Sequence, residues 1–432
     1  MNKKSIFLFA ICLILTISLF AGCGGGGGDT TTKPAETTSG DGGETTADGG
    51  SNSDATVTLD LWHYFGEHEQ TVFDAMIEKY NTENDKGIEV VATFVAREDL
   101  MKQYTMGAIS GELPDIGMVD NPDHASFTTM GVFEDITDLV NEWGQADQFF
   151  EGPMKSVTLD GKIYGLPHNS NCLALIYNKT MLADAGVEVP ETWDDLMAAA
   201  EKLTQGDTYG LSIAAVKNEE GTFQFMPWFI SAGGSIDDLS SPECVNALSF
   251  LTEMIDKGYM SKDVINWTQA DANSQFIGGK AAMQINGPWN IANIQNDAPD
   301  LDFGVALVPK DKVHASVLGG ENFGICAGAP LEESFDVLSF ILNAENVADY
   351  CEAGGKFPPR ADSMELKDIW QTDPIFSVFA EGMQYAMPRG PHPRWPEISD
   401  AMSTAMHESF TGAKTAEQAL ADAKVKVDEI MK

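Results

Sequence analysis

The amino-acid sequence after residue 54 predicts an α/β fold with two lobes. About 378 of the 432 residues lie in this region, more than one hydrophobic core ordinarily serves. Strand patterns alternate with helix patterns along its first part, which indicates a parallel sheet built from βαβ units. A second section with its own strands and helices follows. These observations predict two lobes.

The first 23 residues have the pattern of an export signal. Two lysines precede an apolar run from Ser5 to Phe20, and small residues lead to Cys23. The segment resembles a bacterial lipobox, in which the cysteine is lipidated and becomes the new N-terminus, although Phe20 stands where leucine is usual. An uncleaved membrane helix is the alternative, but a run of about 16 residues is short for a span of about 20. We therefore expect a signal peptide at 1–22 and a lipid on Cys23.

Residues 23–54 predict a flexible linker. Five glycines follow the cysteine, and the rest is mostly Thr, Gly, Ser, Asp and Glu. Such a segment buries too little apolar surface to offset the entropy lost on ordering. A lipid anchor followed by this linker would hold a folded domain outside the membrane and leave it free to move.

The first folded section begins with a strand at Ala55–Leu61. Val57, Leu59 and Leu61 alternate with polar residues, as expected for a strand with one buried face. The elements predicted after it are a helix whose apolar face is Val72, Phe73, Met76, Ile77 and Tyr80, a strand at Ile88–Val95, a helix at Leu100–Ile109 and a strand at Asp115–Val119.

Two strand ends in this section predict a binding rim. In parallel sheets ligands bind beyond the carboxyl ends of the strands. The first strand is followed by Trp62–Phe65 and the third by Asp120–Asp123. The two ends would therefore bring aromatic and hydrogen-bonding side chains to one edge of the sheet.

The second section has signals of its own. Residues 160–165 predict a hairpin turn between short strands, and Leu173–Tyr177 predicts a strand. Thr192, with Asp195 three residues later, predicts a capped helix start, and Thr415 with Gln418 predicts the start of a last helix.

Charge and cysteine content narrow the function. The net charge is −40, and −42 without residues 1–22, which contribute two lysines. We expect no nucleic-acid or anionic-membrane binding, since both require basic surface. Of six cysteines, Cys12 and Cys23 lie in the export segment. The other four are scattered without a CxxC motif, and both a disulfide and four free thiols fit the sequence.

A series of short segments resembles one family in order and spacing. They are Leu113–Ile116, Asp160–Pro167, Leu175–Lys179, Pro190–Leu196, Gly279–Met283, Asn286–Trp289, Gly319–Ile325, Phe357–Arg360 and Pro388–Met402. Together they resemble the family 1 extracellular solute-binding proteins of bacterial ABC importers, the maltose-binding-protein type. The resemblance runs from about Ala55 to the C-terminus.

The resemblance implies a type II-like periplasmic-binding-protein fold. Three crossing segments would join two α/β lobes and form a hinge, with the ligand in the cleft. Lobe one would hold 55–132 and 322–350, and lobe two would hold 133–321 and 351–432. The crossings would lie near Gly131–Phe133, Glu321–Asn322 and Tyr350–Glu352. Glycines at or near them are Gly131, Gly319, Gly320, Gly354 and Gly355, either as hinge residues or as ordinary turn glycines.

The resemblance also implies a carbohydrate site. A neutral sugar needs aromatic surfaces for its C–H faces and planar polar side chains for its hydroxyls. The tryptophans in segments that line the cleft of the resembled family are Trp62, Trp228, Trp289 and Trp395, of which Trp289 matches the sugar-stacking position. The polar candidates are His63, Asp120, Asn121, Asn169 or Asn171, Glu321 or Asn322, Arg360 and Arg394, with surface salt bridges as the alternative for the two arginines. Trp193 fits a structural role, and Trp143, Trp267 and Trp370 stay undecided.

The sequence therefore predicts an extracellular substrate-binding lipoprotein that captures a carbohydrate, most readily an oligosaccharide, by hinge closure. We expect a monomer on the outer face of the cytoplasmic membrane, and its partners would be ABC permease subunits with a separate ATPase. No cofactor, metal or catalytic residue is predicted, because the seven histidines are dispersed and no segment reads as a catalytic motif. The alternatives are the same fold with a peptide, polyamine or polyol phosphate, and an exported polysaccharide-active enzyme.

Overall fold

The computed structural model describes residues 57–432, so the predicted signal peptide, lipidation site and linker lie outside the described part. The strands of the described part are β1 (Val57–His63), β2 (Ile88–Phe94), β3 (Ile116–Asp120), β4 (Thr158–Leu159), β5 (Lys162–Ile163), β6 (Leu166–Pro167), β7 (Ala174–Asn178), β8 (Tyr209–Ser212), β9 (Ala281–Asn286), β10 (Phe303–Ala306), β11 (Ser316–Val317), β12 (Glu321–Ile325) and β13 (Ala386–Met387).

The helices surround these strands. They are α1 (Glu67–Glu83), α2 (Arg97–Ser110), α3 (His124–Thr129), α4 (Thr137–Trp143), α5 (Glu151–Ser156), α6 (Lys179–Ala185), α7 (Trp193–Leu203), α8 (Glu219–Ser231), α9 (Pro242–Asp256), α10 (Gln269–Ile277), α11 (Ile291–Asp297), α12 (Leu331–Ile341), α13 (Ala344–Gly354), α14 (Ala361–Leu366), α15 (Ile369–Thr372), α16 (Phe376–Met383), α17 (Trp395–Phe410) and α18 (Ala416–Ile430). No helix in this part of the chain is both long and apolar enough to cross a membrane.

Two larger sheets organise the described residues. The first has five strands in the order β2-β1-β3-β12-β6, with β1 parallel to β2 and β3, and β12 antiparallel to its neighbours. The second has four strands in the order β10-β7-β9-β8, in which β8 and β9 are parallel. We call the first sheet with its helices the first lobe, and the second sheet with its helices the second lobe.

Local sequence signals are confirmed at several elements. Leu59, Leu61 and His63 of β1 are buried and alternate with more exposed residues, because side chains on a strand point to opposite faces in turn. The predicted hairpin is present, with β4 and β5 antiparallel. Capping boxes begin α7 at Thr192 and α18 at Thr415, as their sequences predict.

The first sheet includes residues beyond 132, where the first part of lobe one is predicted to end. Leu166 and Pro167 of β6 pair with β12, at the edge of the first sheet. Ile136, Val140 and Phe149 also pack in the hydrophobic core shared with β1 and β3. Residues between 133 and 167 thus contact the first sheet, whereas the predicted bounds of the lobes and their crossing segments stay predictions.

The four cysteines that lie outside the export segment are free thiols. They are Cys172, Cys244, Cys326 and Cys351, and all are buried. Burial raises the pKa of Cys172 to about 12, so that thiol stays protonated at neutral pH. Of the two alternatives left open by the sequence, the structure therefore has the free thiols.

Candidate functional site

A cavity of about 360 Å³ lies between the two lobes. Tyr64 follows β1, Asp120 ends β3 and Glu321 begins β12, so the first lobe contributes the ends of three adjacent strands. Opposite them, the second lobe contributes Phe223 from α8 and Trp289, which follows β9. The sequence rule for strand ends therefore predicted the position of this rim correctly.

Two aromatic side chains of the second lobe line the cavity. The ring centroids of Phe223 and Trp289 are 6.3 Å apart. The indole of Trp289 packs directly against the backbone of Gly287. A Cβ built at position 287 would lie only 1.8 Å from Cζ3 of the indole. Glycine at position 287 therefore allows the indole to adopt this position.

Another glycine allows a close approach where the chain enters β12. Gly320 has a φ of 143°, which L side chains rarely adopt, and a Cβ there would be 2.2 Å from the carbonyl oxygen of Asn169. Gly131 shows no such crowding. Gly320 thus lets two backbone segments pass each other at the cavity wall.

Three polar groups of the lining hold buried atoms without a hydrogen-bond partner among the described residues. They are Oη of Tyr64, Oδ1 of Asn171 and Oε2 of Glu321. Burial raises the pKa of Tyr64 well above its usual value, so its hydroxyl stays protonated and can donate a hydrogen bond. The other two atoms are acceptors. Because unpaired buried polar atoms are costly, these three positions suit the hydroxyls of a bound molecule.

Arg389 forms an ion-pair cluster across the lobes. Its guanidinium donates to both carboxylate oxygens of Asp120 at 2.7 and 2.9 Å, and to Glu219 at 2.7 Å. It also lies 4.4 Å from the ring centroid of Phe223. Burial disfavours the charged guanidinium, but Asp120 and Glu219 outweigh that effect and raise its pKa. Arg389 is therefore a fixed positive charge beside the cavity.

Lys356 forms a second cluster on the cavity lining. Its Nζ lies 3.2 Å from Glu69, 3.7 Å from Glu321 and 4.8 Å from the ring centroid of Trp289. Burial opposes its charge, but Glu321 and Glu69 raise the pKa of Lys356, so it stays protonated. Burial raises the pKa of Glu69. The ammonium thus joins an acidic pair of the first lobe to the indole of the second.

Four of the predicted site residues lie in the cavity lining: Asp120, Asn171, Trp289 and Glu321. Where the sequence left a choice, the lining contains Asn171 rather than Asn169, and Glu321 rather than Asn322. Their contacts with a ligand stay predictions.

Two further predicted residues support lining side chains from behind. Oδ1 of Asn121 accepts a hydrogen bond from Arg389 at 3.2 Å. Trp395 is fully buried, and its Nε1 donates to Oε2 of Glu219 at 3.0 Å. These residues hold the ion-pair cluster in place and do not line the cavity themselves.

Trp62 and His63 do not belong to the cavity lining. The indole of Trp62 is stacked with Tyr104, with centroids 6.3 Å apart. His63 is fully buried between Phe65 and Phe73, and burial lowers its pKa to about 4. Both side chains are used in packing inside the first lobe, and it is Tyr64, one residue further along, that reaches the cavity.

Asn169 and Asn322 do not belong to the lining either, and both are almost completely buried. Nδ2 of Asn169 lies 3.2 Å from the His168 ring, and Nδ2 of Asn322 donates to the hydroxyl of Ser156 at 3.0 Å. These amides join neighbouring backbone segments within the protein.

Trp228 belongs to the hydrophobic core of the second lobe. It is fully buried, and its ring centroid lies 5.9 Å from that of Trp193 and 5.7 Å from that of Phe250. The predicted contact of Trp228 with a ligand is therefore not possible in this structure, because packed side chains enclose the indole. Trp193 has the structural role expected of it, with Nε1 donating to the carbonyl of Pro309.

The two predicted arginines form ion pairs away from the cavity. Arg360 is buried and donates to both carboxylate oxygens of Asp362, at 2.7 and 2.6 Å. Arg394 is exposed and pairs with Glu397, with both distances 2.6 Å. Arg394 thus forms the surface salt bridge that was the alternative for it, whereas the ion pair of Arg360 is buried.

Two charged residues of the site, Arg389 and Lys356, were not predicted from the sequence. Arg389 lies within the motif segment Pro388–Met402, and Lys356 directly precedes Phe357–Arg360, so both adjoin recognised segments. Their partners Glu69 and Glu219 carry no local signal. Each pairing joins residues more than a hundred positions apart, which a single sequence does not reveal.

The lining contains more acidic than basic side chains. Five carboxylates face three cations, and the carboxylates are Glu69, Asp120, Glu219, Glu220 and Glu321. Among residues 57–432, no group of three or more His, Cys, Asp or Glu side chains is arranged to hold a metal ion. The lining offers aromatic surface, hydrogen-bonding atoms and a net negative charge, which together suit a polar molecule without negative charge.

Comparison with known proteins identifies related sequences. A family model described as bacterial extracellular solute-binding protein matches residues 75–378. A Brucella abortus (strain 2308) protein described as a binding protein is 26% identical over 372 residues, which cover 83% of this chain and 90% of that one. The maltotriose-binding protein of Pyrococcus abyssi is 25% identical over 353 residues, covering 77% of this chain and 73% of its own.

A solved structure has the same fold. It is an ABC transporter solute binding protein from Thermotoga lettingae TMO bound with α-D-tagatose. The TM-score is 0.81 at 26% sequence identity, and the match covers 87% of this chain and all of the other. The similarity extends over both lobes.

Proposed function

The chain belongs to the bacterial extracellular solute-binding proteins, and from that premise we propose that it captures a neutral carbohydrate in the cavity between its lobes. The ligand class is an oligosaccharide or a smaller sugar. Binding would join groups of the first lobe to the aromatic wall of the second, and hinge closure would enclose the ligand. The protein would act as a receptor without chemical turnover.

The observation that carries this proposal is the composition of the lining. The buried polar atoms of Tyr64, Asn171 and Glu321 have no hydrogen-bond partner among the described residues, although Glu321 Oε2 lies 3.7 Å from the ammonium of Lys356. They lie around the same cavity as the partly exposed indole of Trp289. A sugar offers hydroxyls for the first set and C–H faces for the second. The relatives named for maltotriose and α-D-tagatose support the same ligand class.

The charges of the lining weigh against the other solutes. A phosphate or carboxylate ligand would meet five carboxylates and three cations. A polyamine would suit the net negative charge, but Asp120 and Glu219 already pair with Arg389, and Glu69 pairs with Lys356. A cationic ligand would therefore compete with charges that the protein supplies itself.

Delivery and anchoring complete the proposal. We propose that the ligand-loaded protein docks on permease subunits of an ABC importer driven by a separate ATPase, and that a lipid on Cys23 holds it at the outer face of the cytoplasmic membrane. The first part rests on family membership. The proposed lipid anchor rests on the sequence of residues 1–54. Mass spectrometry of protein purified from membranes would test it, because a lipid on Cys23 adds a defined mass to the N-terminal peptide.

A ligand screen tests the proposed function. The panel would hold tagatose and linear glucose, mannose and galactose oligomers of one to six units, with spermidine, a tripeptide and glycerol phosphate as non-sugar controls. The chain from Asn52 onward forms one compact unit and is the protein to use. A ligand at 100 times its dissociation constant stabilises the folded state by about 2.7 kcal/mol, which a melting curve resolves. A shift with a sugar supports the proposal, and a shift only with a non-sugar control rejects it.

A further inference from the structure

A second cavity adjoins the first. It has a volume of about 310 Å³ and lies between helices α2 and α3 of the first lobe and the N-terminal ends of α8 and α17 of the second. Arg97 and Glu219 line both cavities. The two spaces are therefore neighbours within one cleft, and they are separated by the side chains that they share.

The separating side chains form a continuous chain of ion pairs, which we call the ion-pair wall. Arg97 donates to Asp123 at 2.7 Å and lies 3.6 Å from Asp120. Arg389 joins Asp120 to Glu219, each at 2.7 Å. The wall begins at Asp123 in the first lobe and ends at Glu219 in the second, so these ion pairs run from one lobe to the other.

The second cavity has surfaces of the kind that a sugar chain contacts. Met101, Phe127 and Pro396 provide apolar area, and Asn218 and Ser126 provide hydrogen-bonding groups. A chain that continued from the main cavity toward these surfaces would meet Arg97, which lines both cavities.

We propose that the ion-pair wall sets the maximum length of the bound glycan, with Arg97 and Asp123 as the residues that close the passage. This inference rests on the proposed function, because it concerns the same site. In the wild-type protein a glycan fills the main cavity and stops at the wall. Residues Arg97 and Asp123 are then determinants of specificity for chain length.

The double substitution Arg97→Ala/Asp123→Ala opens the passage with little risk to the fold. Removing one partner of a buried pair leaves an uncompensated charge, whereas removing both does not. Asp120 keeps its two hydrogen bonds to Arg389. The single variant Arg97→Ala is the second test, because the Asp123 carboxyl, with a pKa raised to about 7 by burial, readily becomes neutral there.

Two control variants separate the passage from other effects. Arg97→Met/Asp123→Leu removes the same charges but keeps side chains of similar size, so the passage stays closed. Lys102→Ala changes a residue that lines the second cavity outside the wall and pairs with the exposed Asp99 at 3.0 Å. Both controls should keep the wild-type preference for length.

The experiment is calorimetric titration of each protein with the oligomers of one to six units from the sugar series that binds. In the wild type, dissociation constants should stop falling once the main cavity is full. In the double alanine variant the affinity for the hexamer relative to that for the shortest binding oligomer should rise about tenfold over the wild-type ratio, equal to about 1.4 kcal/mol. The ratio is the measure because Arg97 also lines the main cavity.

Three results would overturn the inference. An unchanged length profile in both alanine variants would show that the wall does not limit the ligand. A gain in the Met/Leu variant equal to that in the alanine variant would assign the effect to charge instead. A wild type that gains affinity with every added unit would also refute it, whereas a wild type that binds no sugar would reject the proposed function and this inference with it.

Discussion

Replacing Trp289 by alanine tests the aromatic wall of the site most sharply. A tryptophan side chain offers about 150–250 Å² of contact area. Trp289 is partly exposed, so roughly 50 Å² of the surface of its indole is free to contact a ligand. With an equal area on the sugar, about 100 Å² leaves water, which at 25 cal/mol per Å² corresponds to about 2.5 kcal/mol. We therefore expect the dissociation constant to rise by about 50- to 100-fold.

The assay is calorimetric titration with the sugar that the ligand screen identifies. Trp267→Ala is the matched control, because Trp267 is also a partly buried tryptophan of the second lobe but lies outside the lining. Melting curves of both variants would show that the fold persists. An affinity for Trp289→Ala within about twofold of the wild type would remove the indole from the proposed site.

Three other substitutions follow from the structure. Gly287→Ala should weaken sugar binding about as much as Trp289→Ala while the protein stays folded, since the new Cβ would lie 1.8 Å from Cζ3 of the indole; calorimetric titration checks this, and unchanged affinity would contradict it. Trp228→Ala should lower the free energy of unfolding by about 3–5 kcal/mol because the indole is fully buried. A variant that keeps its stability in urea titration but loses affinity for the sugar would show that Trp228 contacts the ligand instead. Burial keeps His63 neutral in the folded protein and lowers its pKa from 6.5 to about 4, whereas in the unfolded chain the imidazole takes up a proton below pH 6.5. The free energy of unfolding should therefore decrease as the pH falls from about 6.5 to 4, by up to about 3 kcal/mol from this residue. Urea unfolding of wild type and His63→Leu across that range measures the difference, and parallel curves would refute it.

The sequence predicted those elements whose signals are local. Alternation of apolar residues predicts β1, and a threonine followed three residues later by Asp195 or Gln418 predicts the starts of α7 and α18. Each signal involves neighbouring residues that interact within one turn or one strand. Such interactions are nearly independent of the rest of the fold.

The site was predictable only in part, because side-chain direction depends on packing. Asp120 was found through its place at a strand end, and Trp289 through its resemblance to a known turn. Phe223 and Trp228 are five residues apart on α8, which turns their side chains about 140° away from each other. One therefore lines the cavity and the other lies in the core, although both are aromatic and close in sequence.

The ion pairs of the site escape sequence reasoning for another reason. Arg389 pairs with Asp120 and Glu219 among 66 acidic residues, and although Asp120 has its place at a strand end, nothing local marks either residue as the partner of Arg389. Their pairing follows from the way that the lobes meet. A chain with this excess of acidic residues offers many candidate partners, so only the three-dimensional arrangement identifies the buried ones.

A crystal structure of the protein with the sugar selected by the screen would show directly whether the cavity between the lobes binds it. We expect the sugar in the main cavity, with hydroxyls within hydrogen-bond distance of Tyr64 Oη, Asn171 Oδ1 and Glu321 Oε2 and a ring beside Trp289. A sugar bound outside this cavity, or one inside it that makes no hydrogen bond to any of the three atoms, would refute the proposed site.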